Sequence, residues 1–279
     1  MKILTSTAIL AAMIVALPGC RQQAPAAGNE AASGTEAAGD LSALNGTWKV
    51  DLASLKFDQK PDEYLLKDGT YTCSTCIPPL TAKADGQFHP IADRPYYDSL
   101  SIKVIDDRTV EMRRKKGDRE VSSNLIQVAP DGQSATNKFH DATSPTPVDG
   151  SSKMNRVGPA PAGAHAISGK WAPDKISDYT AEALNMTYTI TGNTVKESSQ
   201  GQSYTAELGG PAVPVQGDIG GTMVAVAREG ANGLKETYTR QGKQVGISTI
   251  VPSADGKSFS FTNTDPRDGA KVTFTSNKS

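Results

Sequence analysis

An excess of charge of either sign is missing from this chain: 29 Lys and Arg against 30 Asp and Glu leave a formal net charge of −1. Without a basic surplus there is no electrostatic footprint for a phosphate backbone, so nucleic acid is not expected as a partner. Catalytic signatures are missing as well. No Gly-x-Ser-x-Gly, no His-Glu-x-x-His and no phosphate-binding loop occurs in the 279 residues. Apolar length is scarce: the run over residues 3–17 is about 15 residues, short of the ~20 that cross a bilayer. Aromatics are only 6% of the chain, and the rest is rich in Gly, Pro, Ser, Thr and Asp at short intervals. That composition suits many short strands joined by turns.

What is present begins at the N-terminus. Lys2 supplies a positive n-region, residues 3–17 an apolar h-region, and Leu17-Pro18-Gly19-Cys20 follows. The ending resembles the lipobox of bacterial lipoproteins. The resemblance implies removal of residues 1–19 and a lipidated Cys20 as the first mature residue. Several acyl chains on one cysteine give the stable anchoring that a single chain does not. Arg21 stands where lipoproteins kept in the inner membrane carry Asp, so the resemblance implies an outer-membrane location facing the periplasm. Residues 20–43 hold almost only small and polar types. They read as a disordered tether, because nothing there can form a core.

The remainder reads as two copies of one unit. Gly46-Thr47-Trp48 and Gly169-Lys170-Trp171 open them, and these are the only two tryptophans. Residues 81–91 align without gaps to 205–215, 110–117 to 235–242, and 128–134 to 251–258 with a small slip. The boundaries expected are 44–141 for the first unit, 142–167 for a Pro- and Gly-rich linker, and 168–279 for the second. Within each unit, alternation such as Ser99-Leu100-Ser101-Ile102-Lys103-Val104 predicts strands, and Asp-Gly and Lys-Gly-Asp turns predict hairpins. Residues 53–67 and 176–184 are the expected helices. The fold class expected is therefore all-β: two tandem antiparallel meanders after the tether. Meanders that open on Gly-x-Trp resemble lipocalin-like barrels, and the wider pattern resembles uncharacterised bacterial lipoproteins with such repeats. The resemblance implies a small barrel or an open barrel-like sheet per copy, or one barrel shared by both.

Candidate chemistry is thin. In an exported protein Cys73 and Cys76 read as a local disulfide. A thiol-exchange role would need a helix N-terminus, which Pro78 and Pro79 block. Zinc-like spacing lacks a second pair, and His89 and His140 are far apart, so no metal or cofactor is expected. Trp48 and Trp171 read as core anchors, each in its own copy. Glu111 and Glu236 align and read as exposed strand positions, and residues 113–116 as a solvated basic hairpin tip. Function is expected to be non-enzymatic: a lipid-anchored binding or structural module, with a small apolar ligand inside a barrel as first expectation. An envelope protein partner is the alternative, and a periplasmic thiol-redox protein using Cys73 and Cys76 the third reading.

Overall fold

Period-two burial runs through the chain and produces strands almost everywhere. Asp62–Lys67 alternates buried and exposed three times over, and Gly233–Arg240 buries Leu234, Glu236, Tyr238 and Arg240 on one face. The computed structural model describes residues 40–279. The expectations placed on residues 1–39, the signal segment and lipidated Cys20 among them, lie outside the described residues.

Twenty strands form in chain order. The first, β1 (Gly46–Asp58), is followed by β2 (Asp62–Lys67), β3 (Thr70–Cys73), β4 (Leu80–Lys83), β5 (Asp85–Pro90) and β6 (Ser99–Asp106). Then come β7 (Thr109–Lys116), β8 (Arg119–Val128), β9 (Ser134–Asp141), β10 (Val148–Val157) and β11 (Gly169–Tyr179). The second half holds β12 (Asn185–Thr191), β13 (Thr194–Ser199), β14 (Gln202–Glu207), β15 (Val213–Pro214) and β16 (Met223–Glu229). It ends with β17 (Gly233–Arg240), β18 (Lys243–Pro252), β19 (Ser258–Thr264) and β20 (Lys271–Lys278). They make two ten-stranded antiparallel sheets, each curled into a nearly closed barrel, so the all-β, two-unit expectation holds.

The sheets do not partition the chain as the repeat does. The first barrel is the continuous stretch β2 to β11, closed by pairing of Gly169 with Tyr64 and Trp171 with Asp62. The second is β12 to β20 plus β1, which lies between β20 and β12 with Trp48 opposite both Lys278 and Met186. The slot beside β2 is taken by β11, which reaches it through residues 158–168 directly after β10. The N-terminal strand is left for the equivalent slot of the second barrel. Each Gly-x-Trp strand therefore closes the barrel built from the other copy.

Three expectations are corrected here. Trp48 and Trp171 are core anchors, but of the opposite units: Trp48 packs on Phe259 with ring centroids 4.9 Å apart, and Trp171 lies in the core with Tyr64 and Leu100. The expected helix at 53–67 is strand for most of its length, and the one at 176–184 is half strand and half a short 3-10 turn. The first covers the end of β1, a three-residue connection and β2, and the second the end of β11 and a 3-10 turn, Ala181–Leu184. β1 carries a bulge between Asp51 and Lys56, which breaks its alternation. The supposed linker at 142–167 contains β10, a full strand paired to β9 and β11.

The two closing strands are built alike. Each indole donates to the carbonyl four residues earlier, Trp48 to Leu44 at 2.8 Å and Trp171 to Ile167 at 2.7 Å. Each ring is covered by a cation from a neighbouring strand, Lys278 of β20 at 5.0 Å and Arg156 of β10 at 4.2 Å. Gly46 and Gly169 have φ of +128° and +119°, and a Cβ on them would come within 3.0 Å of Lys278 Cε and 2.6 Å of Arg156 Nη1. The glycine of the motif leaves room for the cation that covers its tryptophan.

The barrels touch where residues 142–148 meet Gln200 and Gly201. Gln202 Nε2 donates to Ser144 Oγ at 3.1 Å, and Phe139, Val148 and Ala183 pack beneath. Beside this, Arg240 of the second barrel donates to Tyr96 Oη of the first at 2.7 Å and covers its ring.

Because the closing strands are exchanged, a core deletion should damage the barrel distant in sequence. Trp48→Ala, worth about 3–5 kcal/mol if the site cannot collapse, is expected to speed amide exchange over 185–278. Trp171→Ala should do so over 62–157. Hydrogen-exchange mass spectrometry distinguishes this from contiguous units, in which Trp48→Ala would loosen 62–141 instead.

Candidate functional site

Both barrel interiors are occupied by the chain's own polar side chains. In the first, Arg114 on β7 is buried and donates to Asn124 Oδ1 at 2.7 Å, Asn124 donates to Asn137 at 3.1 Å, and Asn137 reaches Ser152 at 3.4 Å. The Arg114 guanidinium also lies 5.5 Å from the Tyr97 ring centroid. In the second, Glu236 on β17 is fully buried and accepts from three tyrosines: Tyr204 at 2.6 Å, Tyr238 at 2.7 Å and Tyr188 at 3.1 Å. Burial pushes the Glu236 carboxyl above the ordinary range, and the three hydroxyls oppose that shift. Glu197 on β13 is buried nearby. Its carboxyl is pushed up to about 8, by loss of solvent first and by Glu236 second.

The alignment of Glu111 with Glu236 is off by one residue. Met112 pairs with Asn124 and Glu236 with Ser248, so Met112 is the structural equivalent of Glu236. A one-residue slip moves a side chain to the other face of the sheet: Glu236 points inward, whereas Glu111 is half-exposed on the outer wall. Cys73 pairs with Tyr64 just as Glu197 pairs with Tyr188, so one barrel has half of a disulfide where the other has a buried carboxyl.

Cys73 and Cys76 form a disulfide with Cα atoms 5.4 Å apart. Cys73 is fully buried at the end of β3. The loop it closes spans so few residues that restricting the unfolded chain is worth about 2 kcal/mol. Ser74 and Thr75 bind it to β2: Ser74 Oγ donates to Glu63 Oε2 at 3.0 Å, and Thr75 Oγ1 accepts from the Glu63 amide at 2.9 Å. Beyond it, the Pro78 and Pro79 carbonyls accept from Arg94 at 2.7 and 3.1 Å.

The basic hairpin is not simply a solvated tip. Arg113 pairs with Glu120 on the outside, Lys115 lies 4.3 Å from the Phe88 ring centroid, and Arg114 points into the barrel. Lys116 bridges the carbonyls of Pro95 and Ile219, each at 2.6 Å, and so belongs to the contact between barrels. His89 contacts Asp85 on its own strand, with no second ligand brought to it. Among the described residues no group of three His, Cys, Asp or Glu could hold a metal ion.

One cleft opens on the outer wall of the first barrel, about 230 Å³, lined by Glu111, Ser123, Leu125, Lys138, His140 and Asp149. Strand pairing assembles it. Leu125 on β8 stands between Glu111 on β7 and Lys138 on β9. His140 on β9 stands between Ser123 on β8 and Asp149 on β10, and its Nδ1 lies 2.8 Å from Asp149 Oδ1. Behind it Phe139 runs across Gly150, where a Cβ would come within 2.3 Å of the ring. Ser, His and Asp in a row are the residue types of a nucleophilic triad. The Ser123 hydroxyl, however, is not hydrogen-bonded to the ring, and these are inner strands whose amides are committed to the ladders on both sides. No oxyanion donors converge there. Sequence reading saw His140 only as a distant metal ligand and Glu111 only as an exposed strand position; the grouping became visible only once the register of β7 to β10 was known.

Comparison with protein-family models, with curated proteins and with solved structures finds no match to this chain.

The buried carboxyls make the second barrel pH-sensitive. Both folded values are raised, so their contribution is complete below the ordinary 4.5 and is lost as pH climbs, for Glu197 through about 8. Melting followed by exchange of the 185–278 amides should therefore weaken from pH 5 to pH 9. Glu197→Gln should reduce the slope, and adding Glu236→Gln should remove it, since the two titrate as a pair. An unchanged slope in the double variant would place the effect elsewhere.

Proposed function

We propose that this chain is a lipid-anchored protein of the bacterial envelope that works without catalysis, as a binding or structural module whose partners meet the outer walls of its barrels. The observation that carries this reading is the filling of both interiors. Arg114, Asn124 and Asn137 occupy one, and Glu236 with its three tyrosines the other. A small apolar molecule inside would have to displace satisfied polar groups, at about 1–3 kcal/mol for each one left unpaired. The outer walls carry the unspent features: the cleft around Leu125 and the exposed Val104 and Ile105 at the end of β6. The Cys20 anchor and the outer-membrane address rest on the lipobox resemblance. The Cys73–Cys76 disulfide is compatible with an oxidising compartment.

Intact mass spectrometry of the protein purified from its native membrane tests the reading. The expected result is a triacylated chain beginning at Cys20, with Cys73 and Cys76 alkylated only after reduction. An unlipidated mature chain would overturn the anchor. Recovery of one apolar small molecule per chain in the organic extract would move the working surface to a barrel interior.

A further inference from the structure

The slots closed by β1 and β11 are built alike and receive the same kind of strand. Gly46 lies opposite Tyr188, Thr47 opposite Thr187 and Trp48 opposite Met186. Gly169 lies opposite Tyr64, Lys170 opposite Glu63 and Trp171 opposite Asp62. The residue before each glycine holds the partner two positions further along. Asn45 bonds both the amide and the carbonyl of Ile190, and Ser168 those of Leu66. These bonds go to backbone groups, which every residue but proline presents in full, so neither slot excludes the other strand.

Beyond the motif each closing strand has one neighbour only. β1 past Lys49 pairs with β20 alone and slips after Asp51. β11 past Trp171 pairs with β10 alone and slips twice, between Pro173 and Lys175 and between Ile176 and Asp178. Residues 50–61 and 172–184 are thus loosely held arms that carry each strand from its own copy to the other. Folded back as loops, they would return β1 to the slot beside β2 and β11 to the slot beside β12, registers unchanged.

Only the short arm 50–61 separates β1 from β2, whereas Thr47 reaches Thr187 across 140 residues. The nearer pairing forms sooner, because closure slows as the intervening chain lengthens. We propose that β1 first closes the first barrel beside β2, and that β11 then displaces it and releases it to close the second. The exchange is a strand replacement within one chain, the intramolecular counterpart of a domain swap. Side chains select its end state. Lys170 meets Glu63 with opposite charge, and the Thr47 and Thr187 hydroxyls are 3.0 Å apart. Arg156 donates to the carbonyls of Gly132, Ala166 and Ser168, which pins the connection that delivers β11. The chain before Gly46 follows β1, so the replacement also moves the N-terminus from the first barrel to the second. Nothing in this step depends on a lipid at Cys20.

Paired cysteines in the full chain, with Cys20→Ser, report which slot β1 occupies. Thr47→Cys/Glu63→Cys is in register only with β1 beside β2, and Thr47→Cys/Thr187→Cys only with β1 beside β12. Lys49→Cys/Leu65→Cys spans the same length of chain as the first pair but is out of register, and so reads random collisions. Each variant is unfolded in urea, diluted to refold and given a diamide pulse at increasing delays. Mass spectrometry then identifies the joined peptides in products of one-chain mass. The first pair should join at early delays, well above the out-of-register pair, and be lost at late ones as the second rises. Wild-type chain gives an independent reading by pulsed hydrogen exchange: amides 46–49 should become protected together with 62–67, before 169–171 and 185–191. Equal joining of the first and out-of-register pairs, joining of the second pair from the earliest delay, or protection of 46–49 only together with 185–191 would each overturn the proposal.

Discussion

Everything in this molecule depends on two strands that each close a barrel belonging to the other repeat. An open sheet of nine strands would leave two unpaired edges, each a row of free amides and carbonyls ready to pair with another chain. β11 seals the first barrel between β10 and β2, and β1 seals the second between β20 and β12. The Gly-x-Trp motif is the local device for that closure. The tryptophan fills the barrel end and ties back to the turn before it. A cation from the neighbouring strand covers the ring, and the glycine makes space for the cation. The same four-part arrangement occurs twice, which is why the motif survives in both copies when most of the surrounding sequence does not.

Inside the barrels the copies have diverged in their buried polar centres. One centres on Arg114 and neutral amides, the other on Glu236 and phenols. A buried charge left alone would cost several kcal/mol, and both are surrounded by partners suited to their sign. Three tyrosine donors can satisfy a carboxylate, whereas asparagine and serine oxygens can accept from a guanidinium. Swapping a single member between barrels would leave an unpaired group. The interiors are therefore fixed by mutual dependence, whereas outer-wall side chains such as Glu111, Leu125 and Lys138 carry no such constraint.

Much of the architecture was legible because strand periodicity and turn residues are local signals. The hairpins from Ser99 to Phe139 and from Met223 to Asn263 fall where alternation and Asp-Gly turns put them, and Cys73 and Cys76 are joined as their spacing implied. The exchange of β1 and β11 was not legible, since pairing Trp48 with Met186 and Trp171 with Asp62 leaves no trace in either segment alone. The inward face of β17 was missed by one residue of alignment. In a strand that small error exchanges core for solvent, and with it the meaning of Glu236. The cleft was invisible for a related reason: Ser123, His140 and Asp149 are brought together by the registers of three strands, and neither their separations nor their neighbours form a motif.

The exchange also orders assembly. The first barrel is continuous in sequence and can close on its own ladder from β2 to β11. The second needs β1, which pairs with β12 across 140 residues, as Thr47 and Thr187 do. For a flexible chain, closure of such a loop costs only slowly more with length, as (3/2)RT ln n, but it delays non-local pairing. Once the first barrel has formed, the effective loop is no longer 140 residues. The three residues between β1 and β2 and the short turn between β11 and β12 leave from neighbouring strands of the same barrel, so β1 is held close to where β12 emerges. The first barrel thereby acts as the template on which the second is closed. Any load applied at the N-terminus then acts along β1, flanked by a ladder on each side. It must shear both ladders together rather than unzip one bond at a time.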